Sequence, residues 1–277
     1  MCDAKIMDYL SGAKLYGDDF SEQQIVEWFK DEEEAYANLG SRDRSSYSYG
    51  YHALNHLHGY RYLPAGRFEH VLSLGGAYGE ELEPIASRAD SITIVDPSQA
   101  FTVNKVNGTP VNYVNPSPKG TLPLDDSSCD LITCFGTLHH IPNVSYVFAE
   151  LARCLRPGGY MLVREPIISM GDWRFPRKGL TSRERGIPPA LFEQITSTTR
   201  LEIVRQSRCV FPLTRRLTHF TKYSAFNSTL LVKFDAFLSR AFSFNERYHA
   251  ESRWQKVRPN SVFLVLRKPV NAPQTWV

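Results

Sequence analysis

Between residues 68 and 165 short apolar runs alternate with helical stretches, and this alternation leaves few folds open. Val71-Leu72-Ser73-Leu74 reads as a strand running straight into glycines. Ser91 to Val95 reads as a second strand, ending at Asp96. Leu131 to Phe135 and Tyr160 to Val163 read as two more, with a helix over Val144 to Leu155 between them. Arg156-Pro157-Gly158-Gly159 is expected to stop that helix and turn the chain. Strands alternating with helices predict an α/β architecture, a parallel sheet with helices on both faces.

The flanks read differently. Residues 1–60 are helices and loops. Ser21 to Gln24 has capping-box spacing before Ile25, Val26, Trp28 and Phe29, and the acidic run Glu32 to Glu34 reads as a solvated helix face. Residues 41–52 are polar and aromatic without a period. Residues 166–190 form a basic loop, after which Ile187-Pro188-Pro189 opens a helix to about Thr199. Leu201 to Val210 and Ser261 to Leu266 read as strands. Between them lies an insertion, about 211–259, whose best helix carries Leu230, Leu231, Phe234, Phe237, Leu238 and Phe242 at helical spacing.

Apolar residues make up 42% of the 277 and charged residues 22%, a globular composition. No apolar stretch approaches the length of a membrane span, and the first residues lack the shape of a signal peptide. The five cysteines include no C-x-x-C pair, so neither a disulfide framework nor a zinc knuckle is expected, and a cytoplasmic location is. Net charge is +3 but unevenly placed: −9 over residues 1–171 and +10 over 172–260. Either the later segment meets an anionic group or its cations solvate exposed helices. No nucleic-acid-binding module is recognisable, and nucleic acid is not expected as a partner.

Four motifs carry chemistry. In Leu72-Ser73-Leu74-Gly75-Gly76-Ala77-Tyr78-Gly79 a strand enters a glycine turn that lets a ligand approach the backbone, although Ala77 breaks the dinucleotide-binding spacing. Asp96 follows Gly75 by 21 residues at the end of the next strand, where a carboxylate can accept both hydroxyls of a ribose or cap the turn at Pro97-Ser98. The run from Leu122 to Asn143 holds a turn, a buried strand, then His139 and His140 at its carboxyl end, the rim where open parallel sheets bind ligands. Leu155-Arg156-Pro157-Gly158-Gly159 precedes the strand that ends at Glu165.

In this order and spacing, across about 68–165, the four motifs resemble the class I S-adenosylmethionine-dependent methyltransferases. The likeness is strongest to the group around the ubiquinone and menaquinone biosynthetic methyltransferases. Ser73 stands where that family usually has Asp, Ala77 where it usually has Gly, and Asn115 to Gly120 offers no acid for the adenine amino group. The resemblance implies a Rossmann-like, seven-stranded sheet with the last strand antiparallel. It implies a helical N-terminal lid over 1–60 and a methyltransferase domain over 61–270, with a helical insertion before the last strand. It also implies S-adenosylmethionine over Gly75 to Gly79, contacted by Ser73, Gly75, Gly76, Ala77, Gly79, Asp96, Pro97, Leu122, Phe135 and Gly136.

The expected reaction is methyl transfer to a small-molecule acceptor, foremost O-methylation of a sugar, glycan precursor or other hydroxylated metabolite. N- or C-methylation of a metabolite such as a quinone precursor, and a degenerate fold serving as an interaction protein, are the alternatives. An acceptor hydroxyl must lose its proton, and histidine suits that work. His139 and His140 are the candidates, with Glu165 on the same rim, and at most one of the two rings is expected to face substrate. Tyr51 and His52 in the lid, and Asp172, Trp173 and Arg174 in the basic loop, are candidate acceptor contacts. Arg177, Lys178, Arg183, Arg185, Arg205, Arg208, Arg215 and Arg216 would suit a phosphate-bearing acceptor. His52, His56 and His58 lack a nearby carboxylate or cysteine at ligand spacing, so no metal is expected. The helix near 230–242 is expected to pack on the core as part of a substrate cap; with Lys233 and Arg240 it also suits peripheral contact with a membrane.

Overall fold

The computed structural model describes residues 2–39, 47–218 and 224–270; residues 41–46 of the polar-aromatic stretch and 219–223 of the insertion lie outside them. The helices are α1 (Cys2–Ser11), α2 (Glu22–Leu39), α3 (His52–His58), α4 (Glu83–Ala86), α5 (Val144–Cys154), α6 (Pro189–Thr198), α7 (Pro212–Thr218) and α8 (Thr229–Ala241). The strands are β1 (Phe68–Leu74), β2 (Ala89–Val95), β3 (Lys105–Val106), β4 (Thr109–Val114), β5 (Cys129–Phe135), β6 (Leu155–Pro166), β7 (Glu202–Cys209) and β8 (Ser261–Arg267).

They form one sheet in the order β3-β4-β2-β1-β5-β6-β8-β7. Neighbours from β4 to β6 are parallel, and β8 runs antiparallel to both β6 and β7. This is the expected seven-stranded Rossmann-like sheet with its last strand reversed. The two-residue β3, antiparallel to β4, adds an eighth. The glycine turn leads first into a short 3-10 turn and then into the four-residue α4. At 156–159 the outcome differs from the expected stop: α5 ends at Cys154, and the chain enters β6 directly at Leu155. A register shift against β5 and a left-handed Gly158 absorb the turn.

Period-two alternation divides the core. Leu72, Ile132, Met161 and Leu264 face one side with Val147, Phe148 and Leu151 of α5. Val71, Leu131, Leu162 and Phe263 face the other with Leu54 of α3 and Val232 of α8. The N-terminal 60 residues, expected as a lid, divide between the two sides of the sheet. Helix α2 opens on the expected capping box, Ser21 N donating to Gln24 Oε1 at 3.0 Å and Gln24 N to Ser21 Oγ at 3.5 Å. It reaches the carboxyl rim of the sheet, whereas α3 is part of the opposite core layer.

Helix α8 packs on the core, with Leu231, Leu238 and Phe242 of its apolar stripe half-buried. Val232, Asp235 and Ser239 form its buried face, while Leu230, Phe234 and Phe237 of the apolar stripe point outward. Among the described residues no helix is long and apolar enough to cross a membrane.

His58 of α3 is buried, its ring stacks on Phe263, and its Nε2 finds no partner among the described residues. Burial first, then Arg61 and Arg205, lower its pKa from 6.5 to about 4. A lowered histidine contributes stability that is complete above the unfolded value and is lost as pH falls toward the folded one. Between about pH 7.5 and about pH 4.5 this group should remove about 2–3 kcal/mol of unfolding free energy. Urea denaturation of His58→Leu should show an acid loss smaller by that amount; an unchanged loss would remove His58 as the cause.

Candidate active site

A cleft of about 920 Å³ opens at the carboxyl ends of β1, β2, β4 and β5. Leu74, Gly75, Val95, Asp96 and Pro97 form one wall, and Pro116 to Pro118, Gly120 and Leu122 form its end. Gly136, Thr137, His140 and Ile141 face them, and Phe29, Glu32 and Glu33 of α2 close over the top.

The first wall is built by backbone geometry. Gly75 has φ +71°, and a Cβ there would lie 2.2 Å from Thr137 Oγ1, so only glycine fits against the loop after β5. Ala77 holds a left-handed φ of 45° in place of the expected glycine. Its N–H donates to Asp96 Oδ2 at 3.1 Å, while Ser98 N donates to Asp96 Oδ1 at 3.0 Å. Asp96 thus caps its own turn and also ties β2 to the glycine loop. Burial pushes its carboxyl above the usual range, and those backbone N–H groups oppose the shift. The Tyr113 side chain is a third partner of this carboxylate, which has about four acceptor sites.

Ser73 lies beneath the loop. Its hydroxyl and that of Thr133 both donate to Glu81 Oε1 at 2.7 Å, so Ser73 binds a buried acid eight residues on, at the place where the family usually has one. Of the expected cofactor contacts, Gly75, Asp96, Pro97, Leu122 and Gly136 line the cleft. Gly76, Ala77 and Gly79 complete the loop behind it. Phe135 does not line it: an odd register in β5 turns its ring into the opposite core layer, against Tyr60 and Phe263.

The two histidine rings lie against each other, centroids 4.1 Å apart, but have different partners. His139 is buried, with Nδ1 2.7 Å from Glu165 Oε2 and Nε2 3.4 Å from Glu184 Oε1. Burial opposes charge on the ring, but the hydrogen bonds to Glu165 and Glu184 override it and raise the pKa to about 9. Glu184 is correspondingly lowered to about 2. His139 is therefore an imidazolium at neutral pH, with no lone pair for a substrate proton. Glu165 is fully buried behind the cleft, where Oε1 accepts from Thr137 N at 2.7 Å and Leu138 N at 2.8 Å.

His140 faces the cleft, and its Nδ1 lies 2.9 Å from Glu32 Oε2. Trp28 Nε1 donates to its carbonyl at 2.8 Å, fastening α2 to the loop. Glu32 was expected on a solvated face but is buried; Thr181 Oγ1 donates to its other oxygen at 2.7 Å. His139, His140 and Glu184 bring ligand-type atoms within 4.8 Å of one another, and Glu165, Glu32 and Thr181 engage them.

The expected acceptor contacts lie elsewhere. Tyr51 stacks on Phe226 at 5.3 Å, under the Arg164 guanidinium, and His52 Nε2 lies 3.7 Å from Glu83. Trp173 stacks on Tyr16 at 4.3 Å, and Asp172 pairs with Arg174 at 2.6 Å, so this loop is tied to itself and to the N-terminal segment. Much of the basic stretch also works internally. Arg185 is fully buried and donates to the carbonyls of Tyr16, His139, Ile141 and Pro142; Arg183 pairs with Asp31 and Arg208 with Glu246. His52, His56 and His58 do not converge: His56 is exposed and His58 is buried in the core.

Residues 72–163 match the family described as a methyltransferase domain. A curated relative, an uncharacterized 37.1 kDa protein in transposon TN4556 of Streptomyces fradiae, is 31% identical over 117 residues, 40% of this chain and 32% of the relative. The chain thus spans about a third of the curated relative it matches. Among solved structures, phospholethanolamine N-methyltransferase 2 of Haemonchus contortus is similar at a TM-score of 0.53 and 16% identity, over 88% of this chain and 60% of that one. A Haloferax volcanii methyltransferase solved with the Trm112 methyltransferase activator is similar at a TM-score of 0.51 and 14% identity, over 89% and 98%. Residues 72–163 thus carry a methyltransferase domain, and the fold is similar to that of these methyltransferases; the matches do not reach the quinone-pathway subgroup.

Proposed function

We propose that this chain, built on a class I S-adenosylmethionine-dependent methyltransferase domain, methylates a hydroxyl of a small-molecule acceptor such as a sugar, glycan precursor or other hydroxylated metabolite. The observation that carries the reading is the cleft itself. The open backbone turn at Gly75 and the Asp96 carboxylate form one wall, and the His140–Glu32 pair stands on the other. S-adenosylmethionine, when bound, supplies an electrophilic methyl group on a sulfonium. Asp96 has lone pairs for the ribose hydroxyls, and Pro97 and Leu122 offer apolar cover for the base. Phe29 and the α2 roof exclude water above the reacting atoms. With that donor bound, His140 would take the proton of the acceptor hydroxyl that receives the methyl group. His139 and Glu165 position the loop that carries His140. Cys129, Cys134, Cys154 and Cys209 are buried free thiols, which supports a reducing, cytoplasmic setting.

Calorimetric titration with S-adenosylmethionine and S-adenosylhomocysteine tests the donor half. Wild type should bind both, and Asp96→Ala should bind about 100-fold more weakly, as loss of two charge-assisted hydrogen bonds implies. A folded wild type that binds neither would overturn the enzyme reading in favour of a degenerate interaction protein.

A further inference from the structure

We propose that the outer face of α8 and the turn after it form a docking surface for an anionic lipid bilayer. The helix cannot rotate to hide this face. Its inner residues Val232, Asp235 and Ser239 are fully buried, and Asp235 accepts Val210 N at 2.9 Å and Phe211 N at 2.7 Å, pinning the helix to the end of β7. Ser228 caps its first turn, its side chain accepting from Leu231 N.

What faces outward is a row. Leu230, Phe234 and Phe237 follow one another four and three residues apart on α8, and Phe244 lies in the 3-10 turn directly after the helix. Leu230 is 77% exposed, Phe237 66% and Phe244 74%. Phe242 joins Phe244 at 6.0 Å to Trp254 at 6.5 Å, and Trp254 is 60% exposed. Single exposed apolar side chains need no explanation, but a contiguous ridge of large ones marks an interaction site.

Charge selects the occupant. Lys233 and Arg240 stand exposed on α8, and Arg253 and Lys256 stand exposed beside Trp254. Asp235 is buried and Glu246 is paired with Arg208, which leaves Glu251 as the exposed acid of this segment. A second copy seated by two-fold symmetry would set this cationic ridge against itself. A bilayer accepts both components: aromatic rings settle at the boundary between headgroups and acyl chains, and lysine and arginine reach anionic headgroups.

Co-sedimentation with vesicles tests this independently of methyl transfer. Wild type should bind vesicles containing about a third phosphatidylserine at least roughly tenfold more tightly than pure phosphatidylcholine, with binding weakened by salt. The Lys233→Glu/Arg240→Glu variant should lose roughly tenfold or more of that affinity. Phe237→Ser/Phe244→Ser should lose binding while keeping the wild-type melting temperature and S-adenosylmethionine affinity, because both rings are in solvent. Equal sedimentation of wild type with the two vesicle types overturns the proposal. So does a solution dimer that Phe237→Ser/Phe244→Ser converts to monomer, which would assign the ridge to a second copy.

Discussion

Replacing Glu165 by alanine should lower the unfolding free energy by about 3–5 kcal/mol, the usual cost of removing one partner of a buried ion pair. Four groups lose their acceptor at once: the backbone N–H of Thr137, that of Leu138, the His139 ring and, more weakly, the Cys134 thiol. Burial penalises charge on both His139 and Glu165, yet their hydrogen bond holds the carboxyl low and the imidazole high. The pH dependence follows from the sign of the shift. His139, raised from 6.5 to about 9, contributes stability that is complete below its unfolded value and is lost as pH rises through the folded one. Wild type should therefore weaken between about pH 7 and about pH 10, and Glu165→Ala should weaken much less over that range. Glu165→Gln keeps the volume and one acceptor for the loop amides but sets an amide against the imidazolium, so its stability should fall between the two. Urea denaturation at both pH values decides the matter. A loss below about 1 kcal/mol with an unchanged alkaline profile would show that His139 is not held as a clamped cation.

The sheet was legible because alternation and glycine turns are local signals. Strands at 71–74, 91–95, 131–135 and 261–266 were each found within a few residues of their ends. The donor wall was legible for the same reason: Gly75 and Asp96 terminate adjacent strands, and strand ends are visible in the chain. The opposite wall was not. Glu32 and His140 are 108 residues apart, and Glu184 comes from a third segment; no spacing rule joins them. Three consecutive glutamates on a helix look solvated, and only the docking of Trp28 beneath the His140 carbonyl turns one of them inward. Arg185 was read as a ligand contact because an isolated arginine shows nothing of its partners, which here are main-chain carbonyls. On α8 the periodicity showed a helix but not which of its sides meets the core. An apolar stripe fixes which residues share a face, not whether that face turns toward the core, and here Asp235 and Ser239 took the core side.

His140→Ala should lower the rate of methyl transfer by about 10²–10⁴-fold while leaving S-adenosylmethionine affinity within about twofold of wild type. The substitution removes the one histidine ring that lines the cleft among the described residues and keeps what fastens the loop, since Trp28 bonds the backbone carbonyl of residue 140 rather than its side chain. The neighbouring ring cannot take over, because carboxylates flank both nitrogens of His139. Glu32→Gln should slow the reaction by about tenfold or more without removing the base. Glu32 fixes which nitrogen of His140 carries the proton, and an amide in its place can hold the ring in the wrong tautomer. The two variants should thus share a loss in kcat, with KM for the acceptor little changed. Single-turnover rates on preformed complexes separate this from slower product release. A His140→Ala rate within about threefold of wild type, alongside lost donor binding in Asp96→Ala, would leave methyl transfer standing and withdraw the base. The acceptor atom would then be one that reacts without surrendering a proton first, a neutral amine rather than a hydroxyl, and the screen for acceptors would turn to that class.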